Sequence, residues 1–409
     1  MNFIGYSLQC PEDQVDVLDE IFPEVKFYEP VVRMEAASGI VNTIPFHPQF
    51  LRDESPSVSK NGFCTMTYET YNDFLQDNYY DPSYDDFRVY ILDTGIQASH
   101  ECFEGRVEFG FDAVTTTPLM TDPHGHGTQV AGAVAGLGYG VSPSSHLVDV
   151  RVLAADGTGR SDDVLAGLDY VLGRHLKAME THGPLNALAC MSLTGPRSRA
   201  LKHALYAISK ALLVVGAVGD HDSFSCSYSP AESPYAIIAA ATARGSDLEL
   251  QGSNFGDCID INAPGEFIST PFIGESNRIQ STLTGSSASA AIVTGIAANL
   301  YAVLRSNRTL AKHSTVYEFI KSQVPETEAS LFVRNILLSS RVSIGKSLAK
   351  EAHMNSFNEC DLRNTKTFVK AAVDHSKKLM ALADRPQAFQ KVKKNLAAHQ
   401  KKKAEALYE

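Results

Sequence analysis

Three short segments, far apart in the chain, place an aspartate, a histidine and a serine among small residues. Asp93 ends an apolar run and precedes Thr94 and Gly95, His126 opens a run of small residues, and Ser287 follows Gly285 and Ser286. An imidazole oriented by a carboxylate can take the proton of a serine hydroxyl, whose oxygen then attacks a carbonyl carbon. The three residue types predict hydrolysis by acyl transfer, with Asp93 orienting, His126 as general base and then acid, and Ser287 as nucleophile.

Taken singly, each segment also has a simpler interpretation. Asp93 could cap a turn, and Ser287 could be an ordinary helix N-cap. A metal site could be formed by His100, Asp122, His124 and His126. Against the metal site, His124 and His126 are two positions apart, whereas a helix face that holds zinc spaces its histidines by four. We therefore expect no metal and no cofactor.

The surrounding chain alternates between apolar strands and helices, which must position these side chains. Strands are predicted at residues 87–92, 146–153, 186–193, 211–217, 235–241 and 258–261, and helices at 127–136, 161–178, 199–210 and 287–304. Such alternation predicts an α/β fold with a mostly parallel central sheet and helices on both faces. Because ligands of parallel sheets bind at the carboxyl ends of the strands, the active site is expected at that edge.

The three motifs and their order resemble the subtilase superfamily, whose chain order is Asp, His, Ser. The segments between the motifs are similar to its proteinase K branch, notably 99–106, 150–159, 192–195, 228–231 and 263–270. The resemblance covers roughly residues 90–304. It implies a subtilisin-like three-layer fold and a serine-type endopeptidase, with a catalytic domain at residues 38–345 that acts on polypeptide substrates.

The resemblance also implies roles for residues outside the triad. An edge that pairs with the substrate backbone is expected at Ser192, Leu193, Thr194 and Gly195. A pocket for the residue before the cleaved bond is expected at Ala217, Val218 and Gly219. The backbone N–H of Ser287 is one expected oxyanion donor. The family usually supplies the second from an asparagine, but this chain has Asp220 there. An ionised Asp220 only accepts hydrogen bonds, so we expect slow or acid-shifted catalysis.

Both ends of the chain differ from the central part. Residues 1–37 resemble the second half of a subtilase propeptide, a strand–helix–strand unit with an extended tail at 31–35, so the chain's own propeptide is an expected partner. A shortened N-terminus or a reduced propeptide accounts for the missing first half. Residues 346–409 form an expected basic helical tail, since 364–409 carry eleven Lys or Arg against four Asp or Glu. The resemblance implies secretion, whereas the absence of a signal peptide predicts an intracellular protein if the N-terminus is complete.

Composition removes several other classes of protein. The net charge of −11 argues against nucleic acid as the main partner, and no apolar run is long enough for a membrane span. Seven cysteines without a C-x-x-C pair exclude a zinc ribbon and leave the disulfide pairing open, with Cys190 predicted to be a buried thiol.

Two alternative functions follow from particular residues. Asp220 and the short propeptide favour a catalytically weak or inactive homologue that binds peptides or a partner in the same cleft. The glycines at 136, 138 and 140 suggest a nucleotide loop, but they follow a predicted helix and lead into none, so the dinucleotide-binding context fails.

Overall fold

A computed structural model describes residues 7–9, 25–38, 87–115, 120–182, 187–244, 248–305, 342–343 and 354–355. The strands are β1 Arg33–Ala36, β2 Arg88–Asp93, β3 Val107–Asp112, β4 His146–Arg151, β5 Thr158–Arg160, β6 Ala187–Met191, β7 Leu193–Pro196, β8 Leu213–Ala217, β9 Tyr228–Ser229, β10 Ile237–Thr242, β11 Ile261–Pro264, β12 Ile268–Pro271, β13 Gln280–Leu283, β14 Val342–Ser343 and β15 Met354–Asn355. The α-helices are α1 His126–Ala135, α2 Ser161–His182, α3 Arg199–Ile208 and α4 Ser286–Arg305.

The largest sheet has the strand order β14-β15-β11-β10-β8-β6-β2-β4-β3 within the described residues. Every neighbouring pair from β11 to β3 is parallel, and β14 alone runs antiparallel at its edge. This arrangement confirms the predicted mostly parallel sheet. The strands β2, β6 and β8 are neighbours, so Asp93, Ser192 and Ala217 lie at or just beyond the same edge of the sheet.

Helices cover both faces of the sheet, as predicted. Along β2, Val89 and Ile91 pack into a core that includes residues of α1 and α4, while Tyr90 and Leu92 pack into a core that includes residues of α2 and α3. Strands buried on both faces are apolar at nearly every position, which explains the uninterrupted apolar runs in the sequence. The result is a three-layer α/β fold.

Helix α1 approaches its neighbouring strands closely because two of its contact positions are glycines. A Cβ on Gly127 would collide with the carbonyl oxygen of Gly95, and one on Gly132 would collide with the ring of Pro271. Glycine at 127 thus lets the first turn of α1 reach the end of β2, and glycine at 132 lets the helix pack against β12. The small residues after His126 in the sequence have this function.

A second, antiparallel sheet has the order β5-β1-β7-β9. Strand β1 lies between two strands of the predicted catalytic domain, with Met34 paired to Gly159 of β5 and Glu35 paired to both Thr158 of β5 and Thr194 of β7. Residues 31–35 were predicted to be extended, and the strand occupies 33–36. The rest of the predicted propeptide unit, apart from 7–9 and 25–37, lies outside the described residues. So does the predicted basic helical tail, except for residues 354–355, which form β15 and not a helix.

Several elements differ from the sequence prediction. The strand predicted at 186–193 is two strands, β6 and β7, separated at Ser192. The strand predicted at 258–261 begins only at Ile261, since Cys258 lies in a turn, where a disulfide joins it to Cys226. Strands β3, β12 and β13 were not predicted, since they are short or carry polar residues at many positions. Cys190 is a free and fully buried thiol, as predicted.

Within the described part of the chain, no helix combines the length and the apolar character that crossing a membrane requires.

Candidate active site

The structure brings the three candidate catalytic side chains together. The ring of His126 lies between the other two, with Nδ1 2.7 Å from Oδ1 of Asp93 and Nε2 3.0 Å from Oγ of Ser287. Asp93 is the last residue of β2, His126 the first of α1 and Ser287 the second of α4. All three residues are buried. A strand end and two helix N-termini thus hold a carboxylate, an imidazole and a hydroxyl in hydrogen-bonding order.

The electrostatic environment favours a charged imidazole. Burial of His126 disfavours the charged ring, but the carboxylate of Asp93 outweighs that effect and raises the pKa of His126 above its ordinary value. Oδ1 of Asp93 also accepts the N–H of Thr94 at 2.8 Å, whereas its buried Oδ2 has no hydrogen-bond partner among the described residues. An incompletely solvated carboxylate beside the ring stabilises the imidazolium that forms when His126 takes a proton.

Asp122 connects the end of β2 to the start of α1. Its Oδ1 accepts from the Thr94 hydroxyl at 2.8 Å and the Gly125 N–H at 2.7 Å, and its Oδ2 accepts from the N–H and hydroxyl of Thr128, each at 2.8 Å. The Thr94 hydroxyl in turn accepts the N–H of Gly127 at 2.9 Å. From the sequence, Asp122 was a candidate only for a metal ligand.

Three of the four residues considered for a metal site have separate partners instead, whereas the buried Nδ1 of His124 has no hydrogen-bond partner among the described residues. Nε2 of His100 lies 3.0 Å from the carbonyl oxygen of Ile279, and the carboxylate of Asp122 is occupied by the hydrogen bonds described above. His126 faces Asp93. Among the described residues, no group of three or more His, Cys, Asp or Glu side chains could hold a metal ion.

The tail of the predicted propeptide occupies the groove beside these residues. The carbonyl oxygen of Ser192 accepts the N–H of Ala37 at 3.0 Å, and the carbonyl oxygen of Gly157 accepts the N–H of Ala36 at 2.9 Å. The carbonyl oxygen of Ala37 accepts the N–H of Ser287 at 3.0 Å. Oγ of Ser287 also lies 3.0 Å from the carbonyl oxygen of Ser192. A backbone segment of this chain therefore runs directly past the candidate nucleophile.

The predicted substrate edge contacts this segment. Leu193 pairs with Ala36 and Thr194 pairs with Glu35 in the antiparallel register of β7 and β1. Gly195 lies under Met34, where a Cβ would be 2.5 Å from the Met34 sulfur and 2.6 Å from a backbone oxygen. Glycine at 195 therefore leaves room for the buried Met34 side chain.

The predicted pocket residues lie at the carboxyl end of β8 and just beyond it. Ala217 shares one apolar core with Ala37, whereas Val218 belongs to the core on the other face of the sheet, which includes Met34. Gly219 has a φ of 94°, a left-handed conformation that favours glycine, and its N–H donates to Oγ of Ser286 at 3.0 Å. The three residues are thus consecutive but face different neighbours.

Asp220 comes directly after Gly219, and its carboxyl group contacts the backbone of the first residue of α4. Each of its carboxyl oxygens lies 3.0 Å from the backbone nitrogen of Ser286. Burial raises the pKa of Asp220 to about 7, although the Ser286 hydrogen bonds and the nearby charge of His126 oppose the increase. A Cβ on Gly285 would be 2.5 Å from Oδ2 of Asp220 and 3.0 Å from Cα of Ser38, so the tail lies close to this carboxyl group.

Comparison with known proteins identifies the same region of the chain. The model of the subtilase family matches residues 85–347, more than half of the chain. The chain is 40% identical to the "Extracellular serine proteinase" of Thermus sp. over 211 residues, which are 51% of this chain and 49% of that protein. It is 35% identical to the "Subtilase-type proteinase psp3" of Schizosaccharomyces pombe over 297 residues, 72% of this chain and 61% of that protein.

A solved structure described as a cold adapted subtilisin-like serine proteinase is also similar. Its TM-score to this chain is 0.54 at 28% identity, and the match covers 67% of this chain and 89% of the other. The chain spans less than two thirds of the length of these two curated relatives. The family model and the shared fold together show that the chain belongs to the subtilase family.

Proposed function

We propose that this chain is a serine endopeptidase that hydrolyses polypeptides through an acyl-enzyme formed on Ser287. The observation that carries the proposal is the position of the His126 ring, within hydrogen-bond distance of both Asp93 and Ser287. Membership of a family with relatives named serine proteinases supports the same reaction. Polypeptides are the proposed substrates because a backbone segment already pairs with β5 and β7 in the groove.

The reaction follows from the geometry. Oγ of Ser287 attacks the substrate carbonyl carbon while its proton passes to Nε2 of His126, and Asp93 stabilises the resulting imidazolium through Nδ1. The carbonyl oxygen becomes negative and accepts the N–H of Ser287, as the oxygen of Ala37 does here. His126 then gives its proton to the departing amine. Water repeats the sequence on the acyl-enzyme and frees Ser287.

Asp220 is the proposed second group that stabilises the oxyanion, and its protonation state controls how well it does so. A protonated carboxyl group can donate a hydrogen bond to the developing charge, whereas a carboxylate repels it. In subtilisin, a member of the same family, removal of one such donor costs roughly 10²–10³ in rate. The pKa of about 7 leaves Asp220 largely neutral in mild acid. We therefore propose catalysis that is slow at alkaline pH and shifted toward acid.

Residues 1–37 are the proposed propeptide, and residues 38–345 the proposed catalytic domain. In support, Ala37 places its carbonyl group at Ser287, which makes the Ala37–Ser38 bond the first bond for the enzyme to cut. The carboxylate of Glu29 also accepts from the N–H groups of Arg199 and Ala200, at 2.8 and 3.1 Å, at the start of α3. A carboxylate at a helix N-terminus is favourable, so Glu29 provides a second attachment of the propeptide.

Secretion is proposed on two observations. One relative is named an extracellular proteinase, and Cys226 and Cys258 form a disulfide, which persists in oxidising compartments. The predicted basic helical tail at 346–409 stays a prediction, since almost all of it lies outside the described residues.

The second candidate is an inactive homologue that binds peptides in the same groove, which Asp220 and the bound tail favour. Hydrolysis of unfolded casein from mildly acid to mildly alkaline pH, compared between the chain and Ser287→Ala, separates the two. The endopeptidase loses all hydrolysis in the variant and reacts with a serine-directed phosphonate at Ser287. A folded chain, freed of residues 1–37, that cuts nothing and resists the phosphonate is the peptide-binding homologue.

A further inference from the structure

One carboxylate of the bound tail contacts a histidine outside the triad. Oε1 of Glu35 lies 2.7 Å from Nε2 of His221, a residue of the loop that follows Asp220. If the Ala37–Ser38 bond is the one cut, Glu35 is the third residue before it, counting Ala37 as the first. The contact therefore links a defined substrate position to a defined residue of the groove.

His221 is held by the protein independently of Glu35. Its ring stacks on that of Tyr228, with centroids 4.6 Å apart and an interplanar angle of 13°. The backbone N–H of His221 donates to Oδ1 of Asn254 at 3.0 Å, and Asn254 is fully buried. Oδ1 of Asn254 also accepts the N–H of Ser223 at 3.1 Å, which fixes the loop at His221 and two residues beyond it. A ring fixed in this way loses little freedom when a carboxylate binds.

The backbone of Glu35 is equally constrained. It pairs with Thr158 of β5 and with Thr194 of β7, so the strand cannot slide or turn without losing its pairing on both sides. Any substrate that adds a strand between β5 and β7 in the same register presents its third side chain to His221. The contact is thus a property of the groove and applies to substrates other than the tail.

We infer that His221 makes the enzyme prefer substrates with an acidic side chain at the third position before the cleaved bond. This inference rests on the proposed endopeptidase function and specifies its substrate class. The side chains of His221 and Glu35 are 31% and 42% exposed, so water and salt weaken the attraction. Exposed ion pairs contribute little, which predicts a preference of about 1.5- to 5-fold rather than an absolute requirement.

The test compares three peptides that copy residues 31–38, with Glu, Gln or Lys at the third position before the cleaved bond. The measured quantity is kcat/KM for the matured enzyme. Glu is expected to exceed Gln by about 1.5- to 5-fold, and Lys to be the poorest. The ratio of Glu to Gln is expected to approach one in His221→Gln and in high salt. In His221→Glu the order is expected to reverse, with Lys preferred.

Arg278→Gln is the matched control. Nε of Arg278 pairs with Glu101 at 2.6 Å, and the two side chains are 68% and 55% exposed, so the change removes an exposed ion pair outside the groove. In Arg278→Gln, the ratio of kcat/KM for the Glu peptide to kcat/KM for the Gln peptide is expected to equal that of the unchanged enzyme. Equal rates for the Glu and Gln peptides, or a ratio that persists in His221→Gln, would overturn the inference.

A second measurement does not need catalysis. In the full chain carrying Ser287→Ala, the contact is expected to slow amide hydrogen exchange at Ala36 and Ala37, and Glu35→Gln to accelerate it by about 1.5- to 5-fold. Unchanged exchange contradicts the role of His221. If no peptide is cut at any pH, the proposed function fails, while the exchange result still decides whether His221 attracts an acidic residue.

Discussion

The backbone N–H of Ser287 donates a 3.0 Å hydrogen bond to the carbonyl oxygen of Ala37. The same N–H is the donor that a negatively charged carbonyl oxygen would use during peptide hydrolysis. The backbone N–H of Ala37 donates to the carbonyl oxygen of Ser192, so hydrogen bonds hold both the N–H and the carbonyl group of this residue. Ala37 thus lies where the proposed reaction requires the residue just before the bond to be cut.

We expect the chain to cut itself after Ala37, giving a new N-terminus at Ser38. Mass spectrometry of purified protein is expected to show a fragment that ends at Ala37, and Ser287→Ala is expected to keep the bond intact. Ala37 is 1% exposed, so Ala37→Asp should bury a charge beside Ser287 and slow cutting by at least about tenfold. Val31→Asp, at an exposed site of the same tail, is the control. A new N-terminus elsewhere, still dependent on Ser287, would contradict this assignment.

Asp220 is expected to set the alkaline limit of activity. Its pKa is about 7, so the donating, protonated form disappears as pH rises through 7. His126 acts as a base only when neutral, so its raised pKa sets the acid limit. Only molecules with a neutral His126 and a protonated Asp220 are fully active, so kcat is expected to have a narrow, bell-shaped dependence on pH. Asp220→Asn keeps a donor at every pH and is expected to remove the alkaline limb, with a gain of roughly 10–10³ there.

Asp220 is also expected to make the stability of the folded chain depend on pH. A carboxyl group whose pKa is raised in the folded state contributes stability below its unfolded pKa of about 3.9, and that contribution is lost as pH rises toward 7. We expect Asp220→Asn to increase the Tm at neutral pH more than at mildly acid pH, measured on the Ser287→Ala background to prevent self-cutting. An equal shift of Tm at both pH values would show that Asp220 is not protonated in the folded chain.

Sequence alone predicted the elements that position the triad. Apolar runs defined β2, β6 and β8, and the small residues after His126 defined α1, since burial on both faces and close helix packing restrict composition strongly. The role of Asp122 was not predicted, because it depends on hydrogen bonds that join two separate segments. The contact between His221 and Glu35 was equally hidden, since those residues are 186 positions apart. Polar contacts across loops have no periodic signature in a sequence.

Asp122 is expected to position the triad without touching substrate. Asp122→Asn replaces an acceptor oxygen by an amide that faces the Thr128 N–H or the Thr94 hydroxyl, and therefore disturbs the joint between β2 and α1. Displacement of catalytic groups by about 1 Å can cost roughly 10²-fold in rate, so we expect kcat to fall by about that factor with KM nearly unchanged.

The control for Asp122 is Asp260→Asn. Asp260 is also buried and accepts the N–H of Ile238 at 3.0 Å, in the part of the sheet near β10 and β11. Both variants are expected to lose about 1–3 kcal/mol in the free energy of unfolding. Only Asp122→Asn is expected to lose kcat. An equal loss of kcat in both variants would indicate a general effect of stability.

The disulfide between Cys226 and Cys258 joins the loop that carries His221 to the loop that carries Asn254. Backbone hydrogen bonds already connect the two loops, including Ser225 N–H to the Phe255 oxygen at 2.7 Å. The cysteines are 32 positions apart, and closing a loop of that length removes freedom from the unfolded chain worth about 3–4 kcal/mol. We expect the double variant Cys226→Ser, Cys258→Ser to lose that amount in denaturant unfolding on the Ser287→Ala background. A reducing agent should lower the stability of the parent chain by a similar amount and leave the double variant unchanged, because the other two cysteines in the described part of the chain, Cys102 and Cys190, are free thiols. If the reducing agent destabilises both proteins equally, the loss does not come from this bond.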